Sequence, residues 1–386
     1  MRPEDLLCPA PQGLYCPVGD FFIDPVRPVP RALITHGHSD HARRGHGKVL
    51  ATSETLDIMA LRYGPDFAGE TQVLDYHQTL DIDGVAVTAY PAGHVLGSAQ
   101  FALAWKGLTI VASGDYKDAF DPTCTPFEPV RCHVFISEAT FGLPVFRHPN
   151  ATTETAKLID SARLFPERSH VVGAYSLGKA QRMMALLRAG GYDAPLYIHG
   201  ALTGISAYYQ SRGIALGDLR PVTGASKSEL AGAMVIAPPS ALTDVWTRKF
   251  TDCNTVFASG WMRVRARARQ RGIELPLVVS DHADWDGLTA AVTHTQCHEL
   301  WVTHGTEDAL VHWAQTRGLN ARPLHMVGYA EEDEGADPEP AETPLPESPL
   351  SDSLPADAAP PDAPKPARSR RRPGKPVGNG APEGEA

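Results

Sequence analysis

Residues 36–41 read His36-Gly37-His38-Ser39-Asp40-His41. Three imidazoles and a carboxylate within six residues form a ligand set for divalent metal, and one short loop of this make-up can serve two ions. His36 and His38 are two apart, so an extended backbone points both to one side. Asp40 and His41 follow and can turn toward a second ion. The apolar run Ala32-Leu33-Ile34 just ahead reads as a short buried strand. The cluster then sits at the end of a rigid element. Three further segments, 89–94, 110–115 and 300–304, have the same form: a strand that ends in His94, Asp115 or His304. A lone His or Asp at a loop start is ordinarily a satisfied polar residue. Together with the first cluster these three complete two ligand sets.

The elements that must position them are short. Over the first 150 residues the pattern predicts strands at 21–23, 32–35, 85–90, 101–105, 108–113 and 134–137, and a helix at 53–61 with Ser53 as its N-cap. Strands in such excess over helices suggest a sheet sandwich with flanking helices. The middle alternates: helix 152–161, strand 170–174, helix 177–189, then strands 196–198, 235–237 and 255–258. That βαβ-like order predicts a parallel sheet with its own core. Strands at 277–280 and 299–303 then lead to His282 and His304. Residues 331–386 are dominated by Pro, Ala and acidic side chains and cannot bury enough apolar surface to offset their ordering entropy, so a disordered tail is expected. Its basic cluster at 365–375 could touch nucleic acid or serve only as part of a solubilising tail.

A chain of 386 residues with 42% hydrophobic content can bury one large core or two smaller ones. No stretch is long and apolar enough to span a membrane, and the N-terminus lacks the basic-then-apolar form of a signal peptide; a cytoplasmic location is expected. The six cysteines are scattered with no C-x-x-C pair, which argues against a disulfide framework or a cysteine zinc site. The net charge of −10 is uneven: the tail holds 13 acidic and 6 basic side chains, which leaves a near-neutral body. Local basic patches on such a body can still bind phosphates. Two are visible. Tyr175-Ser176-Leu177-Gly178-Lys179 joins a strand to a helix, where backbone N–H groups favour an anion and Ser176 and Lys179 could contact it. Arg263, Arg265, Arg267, Arg269 and Arg271 put five arginines in nine residues, ordinarily a solvated face; between Ser259-Gly260-Trp261 and the segment leading to His282, one wall of a nucleic-acid channel is the favoured reading.

With these motifs the chain resembles the metallo-β-lactamase-fold hydrolases, and more narrowly the beta-CASP nucleases. The H-x-H-x-D-H motif matches His36, His38, Asp40 and His41, and the next two motifs match His94 and Asp115. The beta-CASP positions match Glu138 in Ile136-Ser137-Glu138-Ala139-Thr140, His282 in Ser280-Asp281-His282-Ala283-Asp284, and His304. Several blocks, Gly13-Leu14-Tyr15-Cys16-Pro17, Ser176-Leu177-Gly178-Lys179-Ala180-Gln181 and Ser259-Gly260-Trp261-Met262 among them, are similar to bacterial ligase-associated DNA exonucleases. The resemblance covers roughly 10–330. It implies an α/β (α+β) fold: an αββα metallo-β-lactamase sandwich at 1–150 and 275–330, a beta-CASP insert at 151–274, and the tail at 331–386. It implies one metal held by His36, His38, His94 and Asp115, another by Asp40, His41, Asp115 and His304, and Asp24 behind them orienting the loop. The ions would be zinc, with manganese as the alternative.

What the resemblance implies for chemistry is phosphodiester hydrolysis. Two divalent ions would polarise the phosphate and acidify a water, with Asp40 among the catalytic groups. His282 would be the general acid for the leaving oxygen, kept protonated by Glu138. The implied activity is a DNA exonuclease in repair, with ATP-dependent DNA ligase and a helicase as partners. An RNA-processing enzyme of the same group is the alternative, since His304 stands where several DNA-directed members carry Val and RNA-directed ones carry His. A small-molecule lactamase or thioesterase would need neither the insert nor Glu138 and His282. A non-catalytic scaffold would have no reason to keep two metal sites.

Overall fold

The computed structural model describes residues 2–324 and residue 326; the tail at 331–386, with its expected disorder, lies outside the described residues. Six short strands form the first sheet in sequence order: β1 (Cys8–Ala10), β2 (Gly13–Cys16), β3 (Phe21–Ile23), β4 (Arg31–Leu33), β5 (His46–Ala51) and β6 (Ala68–Val73). Helix α1 (Ser53–Tyr63) lies between the last two in the chain. Its N-cap is Thr52, not Ser53: Thr52 has extended backbone angles and its hydroxyl accepts from Thr55 N, which satisfies an otherwise orphaned donor of the first turn.

A second sheet opens with β7 (Thr79–Ile82), β8 (Val85–Pro91), β9 (Ala99–Trp105), β10 (Leu108–Ala112) and β11 (Val134–Ala139). The chain then leaves it through α2 (Ala151–Leu164) for a third sheet. There β12 (Ser169–Gly173), β13 (Leu196–Ile198), β14 (Leu219–Pro221), β15 (Met234–Ala237), β16 (Cys253–Ala258) and β17 (Leu275–Leu277) lie parallel in the order β14-β13-β15-β12-β16-β17. Helices α3 (Lys179–Ala189), α4 (Thr203–Ser211), α5 (Lys227–Leu230) and α6 (Arg265–Gln270) fall between these strands. The strand expected at 277–280 is displaced: Val278 N donates to Glu154 Oε2 and Val279 N turns back to Leu277 O, so the chain leaves the sheet before His282. Helix α7 (Trp285–Thr295) leads into β18 (Glu299–Gly305), then α8 (Glu307–Gln315) and β19 (Asn320–Pro323). The last two strands complete the second sheet as β19-β18-β11-β10-β9-β8-β7.

Burial explains the layers. Strand β8 alternates buried and half-buried residues along its whole length, as a strand between a core and a second layer must. The inner faces of the first two sheets share one core, with Phe21, Ile23 and Leu33 meeting Val87, Phe101, Ile136 and Trp301. Each such large side chain contributes roughly 1.5–3 kcal/mol by leaving water. Leu56 and Met59 of α1 pack with Val49 and Ile34 on the outside of the first sheet. Leu288 of α7 and Leu310 of α8 pack with Phe135 and Val302 on the outside of the second. The result is the expected αββα sandwich. In the third sheet Leu158, Met183 and Tyr209 from α2, α3 and α4 pack with Val172, Ile236 and Val256.

Strand direction fixes where chemistry can gather. Strands β8 and β10 each run antiparallel to β9, and β10, β11 and β18 are mutually parallel neighbours. Therefore β8, β10, β11 and β18 all point the same way, and their carboxyl ends line one edge of the sheet.

Candidate metal centre

That edge carries His94, Asp115, Glu138 and His304, and the loop after β4 brings His36, His38, Asp40 and His41 to it. The loop is tied across the sandwich by Ala99 N, which donates to Thr35 O at 2.8 Å. Gly114 precedes Asp115 with φ +56°, and a Cβ there would lie 2.7 Å from Thr35 Cβ, so only glycine lets the two sheets close this tightly.

Four donors converge. The coordinating atoms of His36, His38, His94 and Asp115, all buried, lie within 4.8 Å of one another. His38 Nδ1 is 3.1 Å from His36 Nε2 and 3.0 Å from His94 Nε2; Asp115 Oδ2 is 3.5 Å and 3.8 Å from the same two nitrogens. A tetrahedral ion with bonds of ~2.0–2.1 Å needs donors ~3.3–3.4 Å apart, and the observed spacings bracket that value. The outer ring nitrogens fix the tautomers. His94 Nδ1 donates to Asp281 O at 2.9 Å, and His38 Nε2 donates to Leu177 O at 3.2 Å. His36 Nδ1 donates to Thr35 Oγ1 at 3.0 Å, whose own proton goes to Asp24 Oδ2 at 2.6 Å. Each inner nitrogen is left with a lone pair aimed into the cluster. Burial, and for His36 the neighbouring His41, lowers all three imidazoles, His94 to about 4, so they are neutral and able to ligate. The donor set fits a divalent ion of the zinc type.

A second group adjoins it through the same carboxylate. His41 Nε2 is 3.4 Å from Asp115 Oδ2 and 3.6 Å from Asp40 Oδ2, and the His304 ring stacks on His41 with centroids 5.1 Å apart. Asp40 Oδ1 is buried with no hydrogen-bond donor among the described residues. Asp24 Oδ2 takes the other His41 nitrogen at 2.8 Å. Burial acts downward on His41, but Asp115, Asp40 and Asp24 outweigh it and hold the ring well above its ordinary value. The same three carboxylates favour any cation at Nε2, a proton or a metal ion alike. Burial and the adjacent His41 lower His304 to about 4. Two residues of the centre sit in the left-handed backbone region, Asp24 at φ +44° and His304 at φ +58°, the kind of local strain that collects at functional sites.

His282 stands beside this group, its ring centroid 4.6 Å from that of His94. Its Nδ1 lies 3.0 Å from both oxygens of the fully buried Glu138. Glu138 is held in turn by Tyr116 N at 2.8 Å. Burial alone would depress His282, but the Glu138 carboxylate raises it to about 10. That shift favours the protonated ring, and with Nδ1 engaged by Glu138 the proton available to give is the one on Nε2.

Three relatives bear on what such a site serves. A protein named Probable DNA ligase from Opitutus terrae is 27% identical over 317 residues, 80% of this chain and 30% of that one. Proteins named Endoribonuclease YSH1 are 34% identical over 144 residues in Saccharomyces cerevisiae and 33% over 195 residues in Eremothecium gossypii. Those two matches take 34% and 40% of this chain and 18% and 25% of the relatives. These similarities support a relationship to the beta-CASP metallo-β-lactamase nucleases. It spans less than a third of the length of each of these relatives. No protein-family model matches it. Among the described residues no helix is long and apolar enough to cross a membrane.

The residues expected to meet nucleic acid divide. Arg263 and Arg265 are exposed beside Trp261, and the Arg267 guanidinium lies 4.0 Å over the Trp261 ring. Arg269 and Arg271 are exposed as well. Ser176 is half-buried in the turn before α3. Lys179 departs from expectation: it is 2% exposed, and its Nζ lies 3.2 Å from Asp281 Oδ1. A buried ammonium keeps its charge only with a partner, and here that partner is a carboxylate of the protein. Gln181 Oε1 likewise takes Gly178 N at the head of the helix. Sequence reasoning missed Lys117, Arg182 and Asp281, all buried around His282. Asp281 lies within a quoted motif, and Lys117 stands two residues past Asp115. Either could have been flagged by its neighbours in sequence.

Proposed function

We propose that this chain is a two-metal nuclease that hydrolyses phosphodiester bonds, acting on DNA as an exonuclease in repair. The reading has the chain as a split metallo-β-lactamase domain, 1–150 and 275–330, clasping substrate against a beta-CASP insert at 151–274. His36, His38, His94 and Asp115 would hold one ion, and Asp40, His41, Asp115 and His304 the other, zinc or manganese. Such ions supply Lewis-acid charge opposite the phosphate and a water acidic near neutral pH. The chain's own part begins with orientation: Asp24 fixes the His41 ring through Nδ1 and, through the Thr35 hydroxyl, the His36 ring. His282 donates from Nε2 to the leaving oxygen, and Glu138 stabilises the imidazolium before transfer. The arginines beside Trp261 would carry the backbone of the polymer.

The observation that carries this reading is the His282–Glu138 pair. A charged acid sits against the metal donors yet is bonded to a carboxylate, which suits a leaving oxygen that needs a proton. The similarity to a ligase-named protein favours DNA and supports the proposed ligase partnership; a helicase partner and a cytoplasmic place of action belong to the same reading. The second reading, an RNA-processing enzyme, is favoured by the similarity to endoribonucleases and by His304. One experiment tests both. The full chain is incubated with end-labelled single- and double-stranded DNA and RNA, with added zinc or manganese, beside His282→Ala. The variant should lose ~10²–10⁴-fold in turnover, the usual worth of a positioned acid, and keep two ions per chain by elemental analysis. Wild-type turnover, or a lost ion, in the variant would remove the reading. The product ladder separates DNA from RNA and reports direction.

A further inference from the structure

The loop that carries His282 is held by three buried cations, one for each of its residues. Arg182 Nη1 donates to Ser280 O. Lys179 Nζ pairs with the Asp281 side chain at 3.2 Å. Lys117 Nζ donates to His282 O at 3.1 Å. Lys179, Arg182, Lys117, Asp281 and Ser280 are each 6% exposed or less. Three long, costly charges are therefore spent inside the protein on one short loop that makes no sheet bond of its own. Two are balanced by a carboxylate: Arg182 Nε also lies 3.3 Å from the buried Asp121 Oδ2, and Lys179 holds the Asp281 carboxyl well below the ordinary carboxylate range against the opposing effect of burial; Lys117 is lowered to about 8 by its own burial.

Two of the three cations come from one place. Lys179 and Arg182 are three apart on the first turn of α3, so they share a helix face. The turn ahead of them also reaches the metal donors. Leu177 O receives His38 Nε2, and Gly178, at φ +84°, packs so closely on Val95 that a Cβ there would collide with it. Asp281 joins the two sets, since its carbonyl receives His94 Nδ1 while its carboxylate forms an ion pair with Lys179.

We propose that Lys179 and Arg182 are positioning residues that lock the Ser280–His282 loop against the metal centre and so hold His282 at the leaving oxygen. Helix α3 belongs to the segment proposed as the insert, so the insert would build part of the catalytic apparatus as well as a wall of the cleft. This rests on the reading of His282 as the general acid. A displacement of about 1 Å at a reacting group can cost ~10²-fold, so a slack loop is expected to show in turnover.

The test compares Lys179→Met, Lys179→Arg, the double variant Lys179→Met/Asp281→Asn and His282→Ala in the full chain. Two substrates are used: an end-labelled DNA oligonucleotide, and the 4-nitrophenyl ester of thymidine 5′-phosphate, whose leaving group needs no proton. Lys179→Met should lose ~10- to 100-fold in kcat on the oligonucleotide. It should hold its KM, keep the wild-type metal content and retain the nitrophenyl activity. Lys179→Arg should recover most of the loss. The double variant leaves no unpaired buried charge, so it should fold even where the single one does not, and it should remain slow on the oligonucleotide. A raised KM with unchanged kcat would make Lys179 a phosphate contact and overturn the proposal. Full oligonucleotide turnover in the double variant would overturn it too, as would equal losses on both substrates in Lys179→Met. If His282→Ala itself loses equally on both substrates, the general-acid reading fails, and that outcome is distinct from failure of the clamp.

Discussion

Asp24→Asn is a one-atom change whose effect can be worked through bond by bond. The carboxylate is buried and accepts three protons: from Thr35 N at 2.8 Å, from Thr35 Oγ1 at 2.6 Å and from His41 Nδ1 at 2.8 Å. Asparagine tolerates the left-handed backbone at φ +44°, so the fold has no steric reason to move. The amide oxygen must face Thr35 N, which leaves the NH2 group facing two hydrogens. The Thr35 hydroxyl can rotate and accept. His41 can comply only by changing tautomer, so that Nδ1 accepts and Nε2 carries the proton. That proton then occupies the nitrogen that lies 3.4 Å from Asp115 Oδ2 and 3.6 Å from Asp40 Oδ2. Losing a hydrogen-bond partner behind a metal ligand costs ~10–100-fold in affinity, or ~1.4–2.7 kcal/mol. The loss should fall on the ion that His41 would hold, while the His36–His38–His94–Asp115 group keeps its own. The assay is competition for zinc against a chromophoric chelator, with elemental analysis after dialysis. Nitrogen-15 shifts of the His41 ring report the tautomer directly. Undiminished zinc affinity, or Nδ1 still protonated in the variant, would refute the reasoning.

Two other perturbations probe separate parts of the molecule. Replacing Arg263, Arg265 and Arg267 together with Gln should weaken single-stranded binding and reduce the slope of log K against log salt by about 2, at ~0.7 per phosphate contact; an unchanged slope would place the polymer elsewhere. His148 is pushed down to about 3 by burial and by the nearby Lys117. Its folded value lies below the unfolded one of ~6.5, so the folded state resists protonation and stability is lost as pH falls from ~6.5 toward 3. His148→Phe keeps a ring beside Phe141 and should flatten the fall in melting temperature over that range. A parallel fall in the variant would assign the acid sensitivity to other groups.

Strands with clean alternation or a continuous apolar run were legible in advance. Val85–Pro91 and Val134–Ala139 are dense in β-branched or apolar residues, and both were anticipated to within two residues at their ends. Strand β6, Ala-Gly-Glu-Thr-Gln-Val at a sheet edge, carries no such signal because most of its side chains face solvent. Helix α7 went unseen because its N-cap, Asp284, closes a motif already read for chemistry and Trp285 follows directly. Val278 and Val279 are β-branched and look like strand, yet a side-chain carboxylate takes the backbone of Val278 out of the ladder. At the centre, the donor residues could be anticipated because imidazole and carboxylate types mark themselves. The supports that act through the main chain could not. Leu177, Ser280 and His282 act through main-chain carbonyls, which every residue type owns. Lys179 was misdirected for a related reason: a glycine and a lysine at a strand-to-helix turn look the same whether the ammonium meets a phosphate or a buried aspartate.

The order in which the donors leave the ribosome has a consequence of its own. His36, His38, His94 and Asp115 are all made within the first third of the chain, whereas β18, which pairs with β11 and carries His304, arrives some 160 residues after that strand. A nascent polypeptide can gather one cation early and still lack the imidazolium, its carbonyl tethers and the last ligand. Cutting power would appear only once β18 has slotted in beside β11, so half-finished copies would be harmless to the nucleic acid around them.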